Sequence, residues 1–421
     1  MERRELSWLT VYRFGIFVLV SLVMIGLVGW GGTVIAAPAR EPIKIGVTTE
    51  ITGPLQVLGS GILRGIELYA EKANNTGGIL GRRVEVISLD DKTRPDEAVK
   101  NATYLISTKK VDMIMRGASS DSTLAVSALC NKEKVPMFAM GGSGEITMSR
   151  GHRYIFRATF NTITQSKATA KYIFDKWPNM KKFFIVGHDY EFGRSLAKDF
   201  WEQMKKLKPD AEVLSEVWPK LSETDYSNYI AAAIRAKPEI VFLALGRGTE
   251  FYKQGKPYGL YKIAKVITPA YFVDESFSWA KADIPEGVVF DGPPYYAINN
   301  SLNKDFVNQF KQKYPKVAPG PTPSDYFGYV STLMALEAIK RAGTGDKEKM
   351  IDSLEGLTMD TPVGMVTIRA IDHQSTFPIY MGVLGWDDAL KHAALKDVER
   401  ISGEGLLPTA AEVQAARAKG R

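Results

Sequence analysis

The sequence predicts an α/β protein with two domains. Short β-rich runs alternate with segments of helical spacing, as in 43–47 followed by Ile62, Ile66 and Tyr69. This alternation is typical of βαβ units, in which helices cover both faces of a parallel sheet. The chain has 421 residues, of which 45% are hydrophobic and 24% charged, so it is long enough for two domains and is not a disordered or fibrous chain.

The first forty residues have the order of a secretory signal. Three arginines precede an uncharged stretch over 14–35, which is followed by small residues. Because this stretch is longer than an ordinary signal core, an uncleaved membrane anchor is the alternative, which the glycines in its second half disfavour. The sequence predicts a signal peptide over 1–36, cleavage after Ala36 or Ala39, and a periplasmic mature protein.

The remaining elements follow in chain order. Strands are predicted at 43–47, 84–89, 111–115, 135–140, 183–186, 213–217, 240–245, 264–267, 288–291, 363–368 and 378–384. Helical spacing marks segments between them, including 98–106 and the long segment 325–341. We expect two sheets, each entered more than once by the chain.

Composition excludes several kinds of function. The 54 Lys and Arg against 47 Asp and Glu give +7, but the basic residues are scattered, which predicts a solvated surface and no nucleic-acid partner. The single cysteine, Cys130, excludes an internal disulfide and a cysteine-based zinc site, and we expect it to be buried on a helix face. The four histidines are too far apart for a HExxH motif, so the sequence predicts no metal site.

Three candidate catalytic or cofactor motifs fail. Residues 59–65 have the spacing GxGxxxG and begin too far from the first strand for a dinucleotide fingerprint. Residues 141–145 end in Glu where a nucleophile elbow needs Gly, and nothing places a serine near the pair His188-Asp189. The sequence therefore predicts no catalytic residue, no cofactor and no enzymatic activity.

Three short polar clusters follow predicted strands and precede predicted helices, at 117–123, 141–144 and 246–249. In open α/β sheets, ligands bind at the carboxyl ends of the strands. Unpaired N–H groups and the helix dipole at such a position suit a carboxylate without Arg or Lys. Each cluster alone is also explained as a helix cap, but three in equivalent positions favour a shared ligand.

Several segments occur in an informative order: IKIGV at 43–47, TGP at 52–54, RGIEL at 64–68, NNTGGILG at 74–81 and YEFG at 190–193. In that order the chain resembles the periplasmic solute-binding proteins of ABC transporters, of the leucine/isoleucine/valine-binding (branched-chain amino acid) type. The resemblance covers most of the mature chain.

The resemblance implies a type I periplasmic-binding fold, with two doubly wound parallel-sheet lobes joined by three crossover strands. The crossings fall near 157–159, 287–291 and 368–373. The implied division is lobe 1 at 43–157 plus 288–368, lobe 2 at 158–287 plus 369–402, and a tail at 403–421. The tail has the composition of a short basic helix or a frayed end, and we assign it no function.

The resemblance also implies a ligand site. In such proteins hydroxyls and backbone N–H groups of the first lobe hold the ligand carboxylate, and the matching positions are Ser119, Ser120, Gly141, Gly142 and Ser143. This agrees with the anion-binding loops that the residues themselves predict.

The second lobe departs from the family pattern. The acidic residue that holds an α-amino group falls at Ala270 or Tyr271, although Asp274 or Glu275 could replace it if the loop is shifted. A buried ammonium without a partner is costly, so the alternative ligands are an amide, a keto acid or an aromatic acid.

Four residues of the second lobe are candidates with different expected roles. We expect Phe192 and Tyr271 to form walls of the site. Arg247 either binds a second carboxylate or faces solvent at the rim. His373 is expected to be structural.

The resemblance implies the solute-binding component of an ABC importer, which captures a small carboxylate-bearing ligand between two hinged lobes and presents it to a membrane permease. One alternative is a ligand-binding sensor of the same fold without transport. The other is a secreted α/β hydrolase, for which no nucleophile and base are found.

Overall fold

The computed structural model describes residues 40–269, 279–317 and 319–419. Several predictions fall outside these residues. They concern the signal peptide, the site residues Ala270 and Tyr271, and their possible substitutes Asp274 and Glu275. The compact unit described below is Glu41–Arg421. Within the described residues, no helix is both long and apolar enough to cross a membrane.

The first sheet has five strands, all parallel, in the order β2-β1-β3-β4-β5. Its strands are β1 Ile43–Thr49, β2 Val84–Asp90, β3 Met113–Arg116, β4 Met137–Ala139 and β5 Ile155–Phe156. The inner strands β1, β3 and β4 are almost entirely buried, as expected for parallel strands covered on both faces.

The second sheet has seven strands in the order β14-β13-β10-β9-β8-β6-β7. Its strands are β6 Lys182–Gly187, β7 Glu212–Val217, β8 Ile240–Ala244, β9 Lys265–Thr268, β10 Val289–Asp291, β13 Ile379–Asp387 and β14 His392–Ile401. The pairs from β7 to β10 are parallel, whereas β13 is antiparallel to both β10 and β14. A separate antiparallel pair consists of β11 Thr358–Thr361 and β12 Gly364–Thr367.

The helices are α1 Gln56–Asn75, α2 Pro95–Ser107, α3 Ser120–Glu133, α4 Thr162–Lys176, α5 Glu191–Leu207, α6 Ser227–Ala236, α7 Thr249–Gly255, α8 Leu260–Ile263, α9 Ser301–Lys313, α10 Pro323–Ala342, α11 Lys347–Leu354 and α12 Ala410–Lys419. The chain returns after β10 to pack α10 against α1, and α4 packs against α5. The C-terminal segment thus contains a helix, the first of its two predicted forms.

The chain segments at two of the predicted crossings lie side by side. Arg157 forms an isolated parallel bridge with Gln374, and its N–H donates to the carbonyl of His373 at 3.0 Å. The Gln374 side-chain oxygen accepts from Asn161 at 3.0 Å and from Arg157 at 3.4 Å. All three side chains are buried, so the two segments share one hydrogen-bond network.

The predicted α/β class with parallel sheets is confirmed, and every predicted strand has an observed counterpart within a few residues. Strands β5, β11 and β14 were missed. The division into two lobes at the stated boundaries stays a prediction. One strand differs from it: the predicted division places 288–291 in lobe 1, whereas β10 is hydrogen-bonded in the seven-stranded sheet between β9 and β13.

Candidate functional site

The carboxyl ends of the parallel strands bring the predicted site loops together. The loops after β3 and β4 leave the first sheet, and the loops after β6 and β8 leave the second. The side chain of Ser143, after β4, is bonded to Glu191, after β6, at 2.7 Å. Loops from the carboxyl edges of both sheets therefore meet, which is where open α/β sheets bind ligands.

Beneath the loop after β3 lies a buried ion cluster that sequence reasoning missed. Arg116, at the end of β3, is bonded to the carboxylates of Glu50 at 2.9 Å and Asp91 at 3.0 Å, and all three side chains are fully buried. Burial raises the pKa of Asp91 to about 6, although the adjacent guanidinium lowers it. The cluster joins the ends of β1, β2 and β3.

The same Glu50 carboxylate accepts hydrogen bonds from two backbone N–H groups of the loop that was expected to bind a ligand. Its oxygens accept from the backbone of Ala118 at 2.9 Å and of Ser119 at 2.8 Å. The Ser119 hydroxyl caps α3 by accepting from the Ser122 N–H at 3.4 Å. Ser119 therefore serves as a helix cap in this structure, and the loop's anion-binding capacity is partly satisfied from within the chain.

Ser120, Gly141, Gly142 and Ser143 lie together and are buried. The Ser120 hydroxyl accepts from the Ser143 N–H at 3.0 Å, which joins the loops after β3 and β4. Gly141 packs so closely against Thr123 that a methyl group there would overlap its hydroxyl. The first sheet thus presents the predicted residues as one compact polar surface.

A hydrogen-bond cluster links this surface to the first turn of α5. The hydroxyls of Ser143 and Ser195 lie 2.7 and 2.8 Å from the same Glu191 oxygen, and 2.9 Å from each other. The Glu191 N–H donates to Asp121, in the first turn of α3, at 3.3 Å. Glu191 is a site residue that the sequence analysis missed; it stands beside Phe192, which was predicted.

Phe192 is buried, and its ring lies 6.0 Å from that of Tyr190. The neighbouring His188 is also buried, and its Nδ1 accepts from the Gly246 N–H at 3.2 Å. Its Nε2 therefore carries the proton and donates to the Tyr226 hydroxyl at 2.7 Å. Burial lowers the pKa of His188 to about 3, with a smaller contribution from Arg247, so its neutral form is preferred.

Arg247 lies at a boundary between the two sheets. Its guanidinium is bonded to Glu250 at 3.2 Å and is partly exposed. A cavity of about 180 Å³ is lined by 53–58, from the loop after β1 and the start of α1, and by Gly246, Arg247 and Thr249. The structure places Arg247 at the wall of an intersheet cavity, with an internal carboxylate as its partner.

Cys130 and His373 lie in the packed interior, as expected for structural residues. Cys130 is fully buried on α3, and burial raises the pKa of its thiol to about 12. The His373 ring stacks on Phe156 with centroids 4.2 Å apart, and its nitrogens contact Ile155 and Glu355. Within the described residues, no group of three or more potential metal ligands is found.

A larger groove of about 500 Å³ lies between α1 and α9 and is lined by polar and charged side chains such as Lys72 and Asp305. It involves the C-terminal half of α1. Because α1 begins after the carboxyl end of β1, this groove belongs to the opposite edge of the sheet from the predicted loops.

The positions of three acidic residues of the site could have been recognised from the sequence, but their bonding partners could not. Glu50 and Asp91 lie within three residues of the ends of predicted strands, and Glu191 stands in the YEFG segment, so their positions at the carboxyl edge were available. Their partners were not, because the contacts join residues 25 to 66 positions apart in the chain.

Comparison with known proteins gives a consistent result. A family model described as "Periplasmic binding protein" matches residues 42–389. The leucine-, isoleucine-, valine-, threonine- and alanine-binding protein of Pseudomonas aeruginosa is 25% identical over 335 residues, covering 77% of this chain and 85% of the relative. A Leu/Ile/Val-binding protein homolog 8 of Brucella abortus is 27% identical over 343 residues, covering 77% and 82%.

Solved structures agree with this match. A solute-binding protein of an ABC transporter from Rhodopseudomonas palustris, in complex with 3,4-dihydroxybenzoic acid, has a TM-score of 0.77 and 25% identity, covering 86% of this chain and 98% of that one. An amino acid ABC transporter substrate-binding protein from Pseudomonas fluorescens has a TM-score of 0.78 and 22% identity, covering 89% and 99%. The second likeness concerns the fold alone.

Proposed function

The chain belongs to the periplasmic binding protein family, and from this premise we propose that it is the solute-binding component of an ABC importer. It takes a small carboxylic acid, an amino acid or a related aromatic acid, between the carboxyl edges of its two sheets. The observation that carries the proposal is the meeting of the loops after β4 and β6, at Ser143 and Glu191.

The ligand class is supported by the relatives and by the loops. The curated relatives are named for amino acids, and one structural neighbour holds a dihydroxybenzoic acid. All of these compounds carry a carboxylate. The hydroxyls of the buried residues Ser120 and Ser143 are suited to such an anion, and they lie beside the first turn of α3.

The mechanism is capture without chemistry. In the open form the ligand binds the first lobe, and the second lobe then closes over it through the chain crossings near Arg157 and Gln374. The ligand shifts the population toward the closed form because only that form makes both sets of contacts. A membrane permease accepts the closed form. On this account the protein catalyses no reaction.

Export to the periplasm follows from the family and from the predicted signal peptide. Cleavage after Ala36 or Ala39 gives a mature chain that begins at Ala37 or Arg40. N-terminal sequencing of the exported protein tests this, and retention of Met1 would contradict it.

The proposed function is tested by the melting temperature of the purified full-length chain against leucine, phenylalanine, 3,4-dihydroxybenzoate, benzoate and two keto acids. A ligand at about 100 times its Kd stabilises the folded state by about 2.7 kcal/mol, which moves the melt by several degrees. We expect at least one acid to do so, while uncharged sugars do not. A melt that no acid moves contradicts the proposal.

A further inference from the structure

Asp291 and Gln165 form a buried pair at the carboxyl edge of the second sheet. Asp291 is the last residue of β10, and Gln165 lies in the first turn of α4. The Gln165 side-chain NH₂ donates to the Asp291 carboxylate at 2.8 Å and to the carbonyl of Pro269, just after β9, at 2.9 Å. The orientation of the amide is therefore set by two acceptors.

One oxygen of each side chain has no hydrogen-bond partner among the residues that the structure describes. These atoms are Asp291 Oδ1 and Gln165 Oε1, and both side chains are fully buried. Buried polar atoms are nearly always paired, so two unpaired acceptors in contacting side chains need an explanation. Both atoms accept hydrogen bonds, which indicates that a donor group is what this position requires.

The pair lies close to the loops that carry the proposed function. One helical turn before Gln165, the Thr162 N–H donates to the Gly142 carbonyl at 2.8 Å, and its hydroxyl accepts from the Gly144 N–H at 2.9 Å. The three residues from Thr162 to Gln165 correspond to a rise of about 4.5 Å along the helix axis. The first turn of α4 thus connects the surface of Ser120 and Ser143 with Asp291.

We infer that Asp291 and Gln165 form the subsite for a hydrogen-bond donor that the ligand carries in addition to its carboxylate. The donor is an ammonium N–H or a hydroxyl O–H. This inference rests on the proposed function and specifies its ligand: an acid that bears such a donor is preferred over the same acid without it. It also supplies an acidic residue on a different strand from the one that the family pattern predicts.

No described cation compensates the Asp291 carboxyl group, so its ionised form requires a hydrogen-bond donor. Burial raises the pKa of Asp291 to about 7, and Gln165 only partly opposes the shift. No salt bridge from the described residues reaches this carboxylate, in contrast to the buried acids Glu50 and Asp325, which are paired with Arg116 and Arg64. A ligand ammonium or hydroxyl would satisfy a carboxylate that lacks a cation.

The test compares two matched pairs of acids by calorimetry on the full-length chain. Leucine is paired with isocaproate, which lacks the amino group, and 3,4-dihydroxybenzoate with benzoate. For wild type we expect the donor-bearing member of at least one pair to bind about tenfold more tightly or better, and the pair that shows it identifies the donor as amine or hydroxyl.

Asp291→Asn should abolish that preference, because an amide NH₂ then faces the donor, while the affinity for the acid without the donor changes less than about threefold. The matched control is Asp199→Asn, another acid whose pKa burial raises to about 7 but whose oxygen already accepts from Thr162 at 2.6 Å. It should keep the preference. Gln165→Leu removes the second acceptor and should weaken the preference without changing the protein's affinity for isocaproate or benzoate.

Equal affinities within both pairs, or a preference that Asp291→Asn retains, would overturn the subsite while leaving the proposed function intact. A wild-type chain that binds none of the four acids would also overturn the subsite, and if no acid of the melting panel binds either, the proposed function is overturned with it. Should Asp291→Asn fail to fold, the wild-type comparison and Gln165→Leu still decide the question.

Discussion

At the scale of single residues, the least expected feature is a buried cation beneath the candidate site. Sequence reasoning expected the loop after β3 to present uncharged groups without Arg or Lys, yet Arg116 is fully buried below it and pairs with Glu50 and Asp91. A charge in this position must be paired, because an isolated buried ion is very costly. The cluster holds the ends of three strands in register and places the loop above them.

Removing the cation should therefore be severe. We expect Arg116→Met to lower the free energy of unfolding by about 3–5 kcal/mol, since two buried carboxylates lose their common partner. The matched control is Arg153→Met. Arg153 also contacts three carboxylates but is about 41% exposed, so its loss should cost less than about 1 kcal/mol. Urea denaturation measures both values, and equal losses would contradict this account.

His188 gives the protein a pH dependence of known sign. Its pKa of about 3 in the folded chain lies below the value of about 6.5 expected when unfolded. Between these values the unfolded chain binds more protons, so this group's contribution to stability is lost as the pH falls from about 6.5 toward 3.

The comparison with His188→Gln isolates this contribution from the other titrating groups. Between about pH 6 and pH 4 we expect the wild-type free energy of unfolding to fall about 1.4 kcal/mol per pH unit more steeply than that of the variant. Denaturant titrations at several pH values measure the difference. Parallel curves for the two proteins would show that His188 is not held neutral by the fold.

At the scale of elements, the sequence predicted most strands because each carries its own apolar run. Strand β14 was missed for a physical reason: only its first half is buried, and its second half is largely polar and partly exposed. Its strand conformation depends on antiparallel pairing with β13, which is a tertiary interaction. Tertiary pairing also explains why β10 was predicted in the wrong lobe. Its three residues pair with β9 and β13, and these pairings join it to the second sheet.

The α1 and α10 pair depends on two glycines that allow a close approach. A methyl group at Gly65 would overlap the backbone carbonyl of Asp325, and one at Gly328 would overlap that of Ile62. The obstructing atoms are backbone and cannot move aside, so the helices must separate. We expect Gly65→Ala to destabilise the protein by about 1–3 kcal/mol, despite the better helix propensity of alanine.

The control for this substitution is Gly405→Ala, where nothing lies within 4 Å of the added methyl group. Its effect on thermal unfolding should be within about 0.5 kcal/mol of wild type. Wild-type stability in Gly65→Ala would show that α1 and α10 are not packed as described.

At the scale of the whole molecule, the sequence located the site loops but not the contacts between them. The loops that carry Ser120, Gly141 and Ser143 were located because small polar residues follow strands in a βα pattern, which is local information. The bonds of Ser143 to Glu191, and of Gln165 to Asp291, join segments 48 and 126 residues apart. Such pairs arise only when two sheets are folded and brought together, so the residues missed were mainly partners from distant segments.

The central claim is that a small carboxylic acid binds between the carboxyl edges of the two sheets. The most direct measurement is a crystal structure of the full-length chain with the acid that raises its melting temperature most. The account predicts a ligand in contact with Ser120 or Ser143 on one side and with the loop after β6 or β8 on the other. A ligand bound in the groove between α1 and α9, or in contact with only one sheet, would contradict it.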